Sequence, residues 1–259
     1  MRMTSRAGIG AFVVLIACAI ALLAPTLAPH DPTKSSVFFL QGPSYEHLFG
    51  TDELGRDILS RVIYGTRASL LIGAGAALLA VIIGAPIGLL AGYLGGKVDI
   101  VVVQVIDLFI ALPGLVLALI ITVMIGPSLQ NLVLVLGFVM WPIVARLIRG
   151  QTLAVREHAY IEAAVAAGGS SLWIIRRHVW PNIFRVVAAQ FAITVSFAII
   201  TSASLSFLGL GIPPPVPDWG SMVRSGFDVL AINPALSMAP GGAIAALVLG
   251  FYLLGNSGK

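Results

Sequence analysis

Tyr160-Ile161-Glu162-Ala163-Ala164-Val165-Ala166-Ala167-Gly168, followed after a polar turn by Arg176-Arg177-His178-Val179-Trp180-Pro181-Asn182, is a basic, partly polar island between long apolar runs. Such an island lies at a membrane surface and offers something to a soluble partner. The chain on either side of it is mostly membrane span.

Of the 259 residues, 58% are hydrophobic and 10% charged, whereas roughly a quarter of the residues of a soluble domain carry charge. This is the composition of an all-α polytopic membrane protein. Each crossing takes ~20 mostly apolar residues, because the hydrocarbon offers no water to free backbone groups, so the length allows about six spans plus loops. Nothing is left over for a large soluble catalytic domain. The net charge of +4 does not point to nucleic acid, since the Lys and Arg sit beside apolar segments and not in one long patch. The single Cys18 excludes an intrachain disulfide, a CxxC pair and a thiolate site, and no metal site is expected.

The apolar runs are Ala7–Ala28, Ala68–Tyr93, Val98–Ile125, Leu129–Leu147, Phe184–Leu208 and Leu236–Leu254. The first exceeds the ~7–15 residues of a signal-peptide core and reads as a span. With the amino terminus inside, Arg2, Arg6, Lys97, Arg146, Arg149, Arg156, Arg176, Arg177, Arg185 and Lys259 fall on the inner side. Lys34, Arg56, Arg61, Arg67 and Arg224 fall outside. That bias places both termini in the cytoplasm. The resulting division is a tail and first span (1–29), an outer loop (30–67), a core of five spans (68–255) containing the inner loop 151–182, and a short tail (256–259).

Within the outer loop, Leu54, Ile58, Leu59, Val62 and Ile63 fall on one helical face, opposite Glu53, Arg56, Asp57 and Arg61. An interfacial helix over Glu53–Tyr64 is expected, capped by Thr51 or Asp52 and carrying an Asp57–Arg61 pair. Gly73, Gly75, Gly84, Gly88 and Gly92, with neighbouring alanines, suit close helix packing. Pro86, Pro113 and Pro142 predict kinks.

In the island, Tyr160, Ala163, Ala164 and Ala167 recur at helical spacing and give a face with little side-chain bulk. Gly168-Gly169 stops that helix. Ser170 or Ser171 caps a second one, Leu172–Trp180, which Pro181 closes. Two short helices at a sharp turn make a docking knob; the alternative is a plain connector with Trp173 and Trp180 as headgroup anchors.

Glu162-Ala163-Ala164, then Gly168, His178 and Trp180-Pro181, resemble the "EAA" coupling motif of binding-protein-dependent ABC importer permeases. Two further segments match, His47–Asp57 (His-Leu-Phe-Gly-Thr-Asp-Glu-Leu-Gly-Arg-Asp) and Ser206–Pro214, the latter running into Pro217-Asp218-Trp219-Gly220. Together they are similar to the second permease subunit of dipeptide/oligopeptide importers, the DppC/OppC group, over nearly the whole chain. The resemblance implies a type I importer permease with six transmembrane helices and a cytoplasmic coupling-helix loop, in a bacterial cytoplasmic membrane. It implies that the loop docks in a groove of a cytoplasmic ATPase, with Glu162, Ala163, Ala164, Gly168 and Pro181 as coupling residues and Arg176 and Arg177 nearby. The implied partners are a homologous second permease subunit, two ATP-binding cassette subunits that hold ATP and Mg²⁺, and an extracytoplasmic binding protein; this chain itself is expected to bind no cofactor. The implied cargo is a dipeptide or oligopeptide, with nickel or glutathione as alternatives on the same permease type. Trp180 stands where the family usually has Leu, and the chain ends where members usually continue with an acidic tail.

The remaining residues bear on mechanism. Gly95-Gly96-Lys97 is not a phosphate loop, because Ala91 and Val98 replace the required Gly and Ser/Thr, so ATP must be bound elsewhere. Asp107 is the acid clearly inside a run; it lines the substrate path or bonds across helices, with Gln104 or a neighbouring subunit as partner. An ion-coupled carrier would need more such groups. Ser196, Ser202, Ser204 and Ser206 crowd one span, but His30, His47, His158 and His178 all fall in loops, which leaves an intramembrane protease without its base. The proline-rich loop from Gly209 to Pro234 is either a rigid cap or a docking face for a binding protein, with Pro214, Asp218 and Trp219 as the exposed candidates.

Overall fold

Small residues decide where the helices meet. The structure, a computed structural model, describes residues 5–256; Arg2 and the terminal Ser257, Gly258 and Lys259 lie outside the described residues. The elements are α1 (Ser5–Leu27), α2 (Ile58–Leu94), α3 (Gly96–Ala111), α4 (Gly114–Ile125), α5 (Leu129–Arg156), α6 (Ala159–Ala166), α7 (Ser171–Ile174), a π-helical turn (Ile175–Val179), α8 (Trp180–Phe207), α9 (Trp219–Asp228) and α10 (Ala235–Gly255). Among the described residues there is no β-strand, only an isolated bridge between Thr51 and Asp57.

Among the described residues five helices are long and apolar enough to cross a membrane, and α3 with α4, bent by 83° at their junction, pass the same test only as a pair and make a sixth when counted as one broken span. The bend falls at Leu112-Pro113, where the expected third span Val98–Ile125 breaks in two. Proline lacks the amide that would continue the ladder and biases the residue before it away from helix; Leu112 is extended, at φ −88° and ψ 134°. By contrast, α2 runs on through Pro86 and α5 through Pro142.

The principal packing seam joins α2 to α5. Gly84, Gly88 and Gly92 recur every fourth residue, one above another on a helix face. A Cβ placed on them would lie 2.7 Å from the Trp141 carbonyl oxygen, 2.4 Å from that of Ala145 and 2.8 Å from that of Arg149. The two backbones therefore touch directly, with Ala80, Ala85, Leu136, Val144 and Ile148 filling the buried core beside them. The other end of α2 packs on α9 and α10 through Ile58, Trp219, Met222 and Leu236, and the same buried cluster continues through Val195 and Ile199 of α8 to Phe251 further along α10. Ser196 on α8 donates to the Val248 carbonyl of α10 at 3.1 Å, and Ser204 to its own helix at Ile200, 2.9 Å. These serines thus bond backbone.

Three expectations are corrected. The interfacial helix over Glu53–Tyr64 does not form: Glu53–Arg56 is a turn, and residues from Ile58 onward are the first turns of α2, whose 37 residues span about 55 Å. Neither Thr51 nor Asp52 caps it. Asp57 does, accepting from the Ser60 N–H at 2.8 Å and the Ser60 hydroxyl at 2.6 Å. Nor do Asp57 and Arg61 pair; Arg61 lies 3.5 Å from Asp52 and donates to the Pro32 carbonyl at 2.8 Å. It is largely the polar face that turns inward: Asp57 and Arg61 are buried together with Asp52, Arg61 reaching the Pro32 carbonyl of the loop 30–56, whereas on the apolar face Ile58 is buried and Leu54 stays 49% exposed.

Because the seam is backbone against backbone, it has no slack for even a methyl group. Gly88→Ala is expected to destabilise the chain by about 1–3 kcal/mol, the usual cost of overpacking, with a lowered thermal midpoint in detergent. Gly150, whose added Cβ meets nothing within 4 Å, is the control; equal midpoints for the two variants would refute the seam.

Candidate functional site: the loop between α5 and α8

The segment 157–182 is built on a few buried anchors. Ile161, Ile174, Ile175 and Val179 are all buried, and all join the core cluster that α2 and α5 begin. Everything between these anchors faces outward: Glu162, Ala163, Gly168, Arg176, Arg177 and Pro181 are exposed, and Ala164 is half-buried against the core. The seven residues sequence reading grouped are therefore brought onto one projecting unit.

Gly168 ends α6 in a Schellman turn. Its φ of +82° is a left-handed conformation that costs a residue with a Cβ ~1–2 kcal/mol. The Gly168 N–H donates to the Val165 carbonyl at 2.9 Å and the Gly169 N–H to that of Ala164 at 3.0 Å, the two bonds that define this helix end. Ser170 then caps α7, accepting from the Trp173 N–H at 3.4 Å. A Cβ on Gly168 would meet nothing within 4 Å, so only the backbone demands glycine there; the space beside it is open.

The second helix departs from expectation. It does not close at Pro181. The helical run continues from Ser171 to Phe207 through the π-turn, and Pro181 takes a first-turn position of α8, where a missing amide costs least. Arg176, Arg177 and His178 sit on the π-turn. Trp173 packs edge-on against His178, ring centroids 5.0 Å apart, and Tyr160 lies 6.1 Å from the same imidazole, so α6 and the π-turn are held face to face by aromatic rings. Exposed Tyr160, Val165, Leu172 and Trp173 add apolar surface. An open groove of about 780 Å³ runs between the ends of α2 and α5 and α6, lined among others by Arg156, Glu157, Glu162 and Val165. Among the described residues Glu162, Arg176 and Arg177 take part in no ion pair. An exposed carboxylate and two exposed guanidinium groups beside apolar surface, on a rigid base, suit recognition of a protein.

Deeper in the spans, Asp107 on α3 pairs with Arg146 on α5, and Asp99 with Arg149, whose Nη2 lies 2.6 Å from Asp99 Oδ2. Asp107 thus bonds across helices, to Arg146 and not to Gln104. Gln104 and Asp107 share the exposed side of α3, and the Asp107 and Arg146 side chains stay 59% and 48% accessible. Arg146 and Arg149 had been read only as charges marking the inner side. Their spacing of three on one helix face, opposite Asp107 and Asp99, was the available signal. A paired Asp107 is also a poor ion-coupling group, which weakens the carrier alternative.

In the third region, Pro214 is exposed but Asp218 and Trp219 are not. Trp219 donates its indole N–H to the Val62 carbonyl at 2.9 Å and covers Gly65; Asp218 caps α9 through the Ser221 N–H at 3.3 Å. Both serve the interior, because an indole and a helix-capping carboxylate each find partners there. The surface of this loop is Pro213–Val216.

Against known proteins, residues 84–256 match the family model described as binding-protein-dependent transport system inner membrane component. The glutathione transport system permease protein GsiD of Pectobacterium atrosepticum is 39% identical over 249 residues, covering 95% of this chain and 82% of that protein. The dipeptide transport system permease protein DppC of Alkalihalophilus pseudofirmus is 37% identical over 249 residues, covering 96% and 82%. The probable D,D-dipeptide transport system permease protein DdpC of Escherichia coli is 36% identical over 247 residues, covering 95% and 83%. A structure of the MetNI methionine ABC transporter in an inward-facing conformation shares the fold, with a TM-score of 0.64 at 18% identity over 77% of this chain and 94% of that one.

Burial pushes the Asp218 carboxyl above its ordinary value of 3.8, outweighing the hydrogen bonds that favour its ionised form. The folded state then holds this proton more tightly than the unfolded chain does. The associated stability is fully present below the unfolded value and is lost as pH rises through the folded one. Asp218→Asn keeps a cap acceptor but no charge, so its thermal midpoint should gain on that of the unsubstituted protein as pH rises above about 4, the ordinary carboxyl value. Parallel pH profiles would contradict it.

Proposed function

Because the chain belongs to the family of binding-protein-dependent transport system inner membrane components, we propose that it forms one half of the translocation pathway of an ATP-driven importer of dipeptides or oligopeptides. The other half is a homologous permease subunit. Two separate ATP-binding cassette subunits hold ATP and Mg²⁺, this chain contributing no cofactor site and no catalytic residue to hydrolysis. Both termini and the loop 157–182 face the cytoplasm, and the α8–α9 loop faces out. Peptide cargo is supported by relatives named for dipeptides, D,D-dipeptides and glutathione; glutathione, itself a small peptide, is the alternative substrate.

What supports coupling is the projecting unit itself: exposed Glu162, Ala163, Gly168, Arg176, Arg177 and Pro181 on a base pinned by four buried aliphatic side chains. A helix of small residues approaches a groove closely, and the anchors pass its displacement to α5 and α8. When the cassettes close on ATP they move this unit, and with it the spans, from inward-open toward outward-open; hydrolysis resets them. Asp107, Arg146 and Gln104 line the path. A half-exposed ion pair at membrane depth is costly against lipid and is tolerated beside water or protein. The exposed tip Pro213–Val216 receives the binding protein.

Two substitutions test the coupling. Glu162→Lys reverses a charge at the contact, and Gly168→Trp fills the open space beside the turn. Each should lower ATP-driven peptide uptake in reconstituted vesicles by at least tenfold, equivalent to about 1.4 kcal/mol or more, while the chain remains membrane-inserted. Unchanged uptake in both would sink the assignment.

A further inference from the structure

The loop between α1 and α2 gathers three potential ligands that are far apart in sequence. His30 follows the end of α1 and is half-buried; His47 and Asp57 are 7% and 2% exposed. One ligand atom from each can be chosen so that all three lie within 4.8 Å of one another. His47 Nδ1 and Asp57 Oδ1 are 2.9 Å apart, and the two imidazole centroids 4.7 Å.

Two of the three ligands are also oriented by a neighbour outside the cluster. His30 Nε2 lies 2.9 Å from the Glu46 carbonyl oxygen. A carbonyl only accepts, so that nitrogen carries the proton and Nδ1 is left with its lone pair. Asp57 Oδ2 is held by the Ser60 N–H and hydroxyl, which leaves Oδ1 directed at His47. Ligand rings and carboxylates held by outer hydrogen bonds of this kind are what metal sites require. A hydrogen bond between His47 and Asp57 alone would account for neither the third ligand nor its fixed tautomer.

We propose that His30, His47 and Asp57 form a site for a divalent transition-metal ion, with Zn²⁺ the best fit to two imidazoles and a carboxylate. The ion replaces the proton shared by His47 Nδ1 and Asp57 Oδ1, and His47 then carries its proton on Nε2. Tetrahedral Zn²⁺ with bonds of about 2.0–2.1 Å sets its ligands roughly 3.3 Å apart, so His30, the least buried of the three, moves inward to complete the set. A fourth position stays open to water. The ion would tie the end of α1 to the cap of α2, closing the intervening loop. Sequence spacing gives no hint of the site, because no two of the ligands lie within one helical turn.

The test uses the intact transporter complex, purified through a tag without histidine, stripped with EDTA and titrated with Zn²⁺. His30→Asn is the diagnostic variant: its amide can still donate to the Glu46 carbonyl, while the ring ligand is gone, and His47 and Asp57, which support the fold, are untouched. His30→Ala is the second variant. After gel filtration, metal analysis should find one more Zn²⁺ per copy of this chain in the unsubstituted complex than in either variant. Zn²⁺ should raise the thermal midpoint of the unsubstituted complex alone, and affinity should fall at least tenfold in the variants. Equal Zn²⁺ content in all three, or no Zn²⁺ retained by the unsubstituted complex, would overturn the proposal and leave a hydrogen-bonded cluster only.

Discussion

Direct backbone contact between α2 and α5 is the constraint on which the rest of the structure depends. In a bilayer, lipid competes on equal terms with any apolar side chain, so helices associate through close fit and not through the hydrophobic effect. Gly84, Gly88 and Gly92 supply that fit by letting the carbonyls of Trp141, Ala145 and Arg149 come within contact distance. The seam fixes the height and rotation of α5. Arg146 and Arg149 are thereby set opposite Asp107 and Asp99, and α6 emerges where Ile161 can reach the core.

From the seam the structure divides into two ends with different jobs. Towards the loop 157–182, buried aliphatic side chains hold down a surface whose charged groups are unpaired among the described residues. At the other end, Ile58, Trp219 and Leu236 close the bundle, and buried polar residues there bond one another: Asp57 with His47 and Ser60, Arg61 with Asp52 and Pro32, Asp218 with Ser221.

The sequence shows some of this and hides the rest for physical reasons. Apolar runs of span length, small-residue spacing and the Gly168 stop are local signals, so the approximate spans, the close packing of α2 and the end of α6 were legible, but not that α5 is the helix packed on α2. What misled was pattern without context. Residues 53–64 carry an amphipathic pattern that hides which face turns inward, and only the return of the loop 30–56 onto Asp57 and Arg61 decides. Pro181 reads as a terminator, yet it is equally at home in the first turn of the helix that follows. Trp219 looks like a surface residue in a proline-rich loop because its partner, the Val62 carbonyl, is 157 residues away, whereas the Asp218 cap on Ser221 is local and was missed. Arg146 stayed hidden as the partner of Asp107 because 39 residues separate them.

The unbroken helical run from Ser171 to Phe207 makes the two roots of the projecting unit mechanically unequal. On the α8 side, Arg176 and the far end at Ser206 belong to one helical run, so a displacement at the surface would be carried along its length. On the α5 side, Glu157 and His158 interrupt the helix, so a load there would meet a break and not a continuous helix. A thrust from below would swing α6 about that break while driving α8 along its axis, turning a single push into a shear between the two spans.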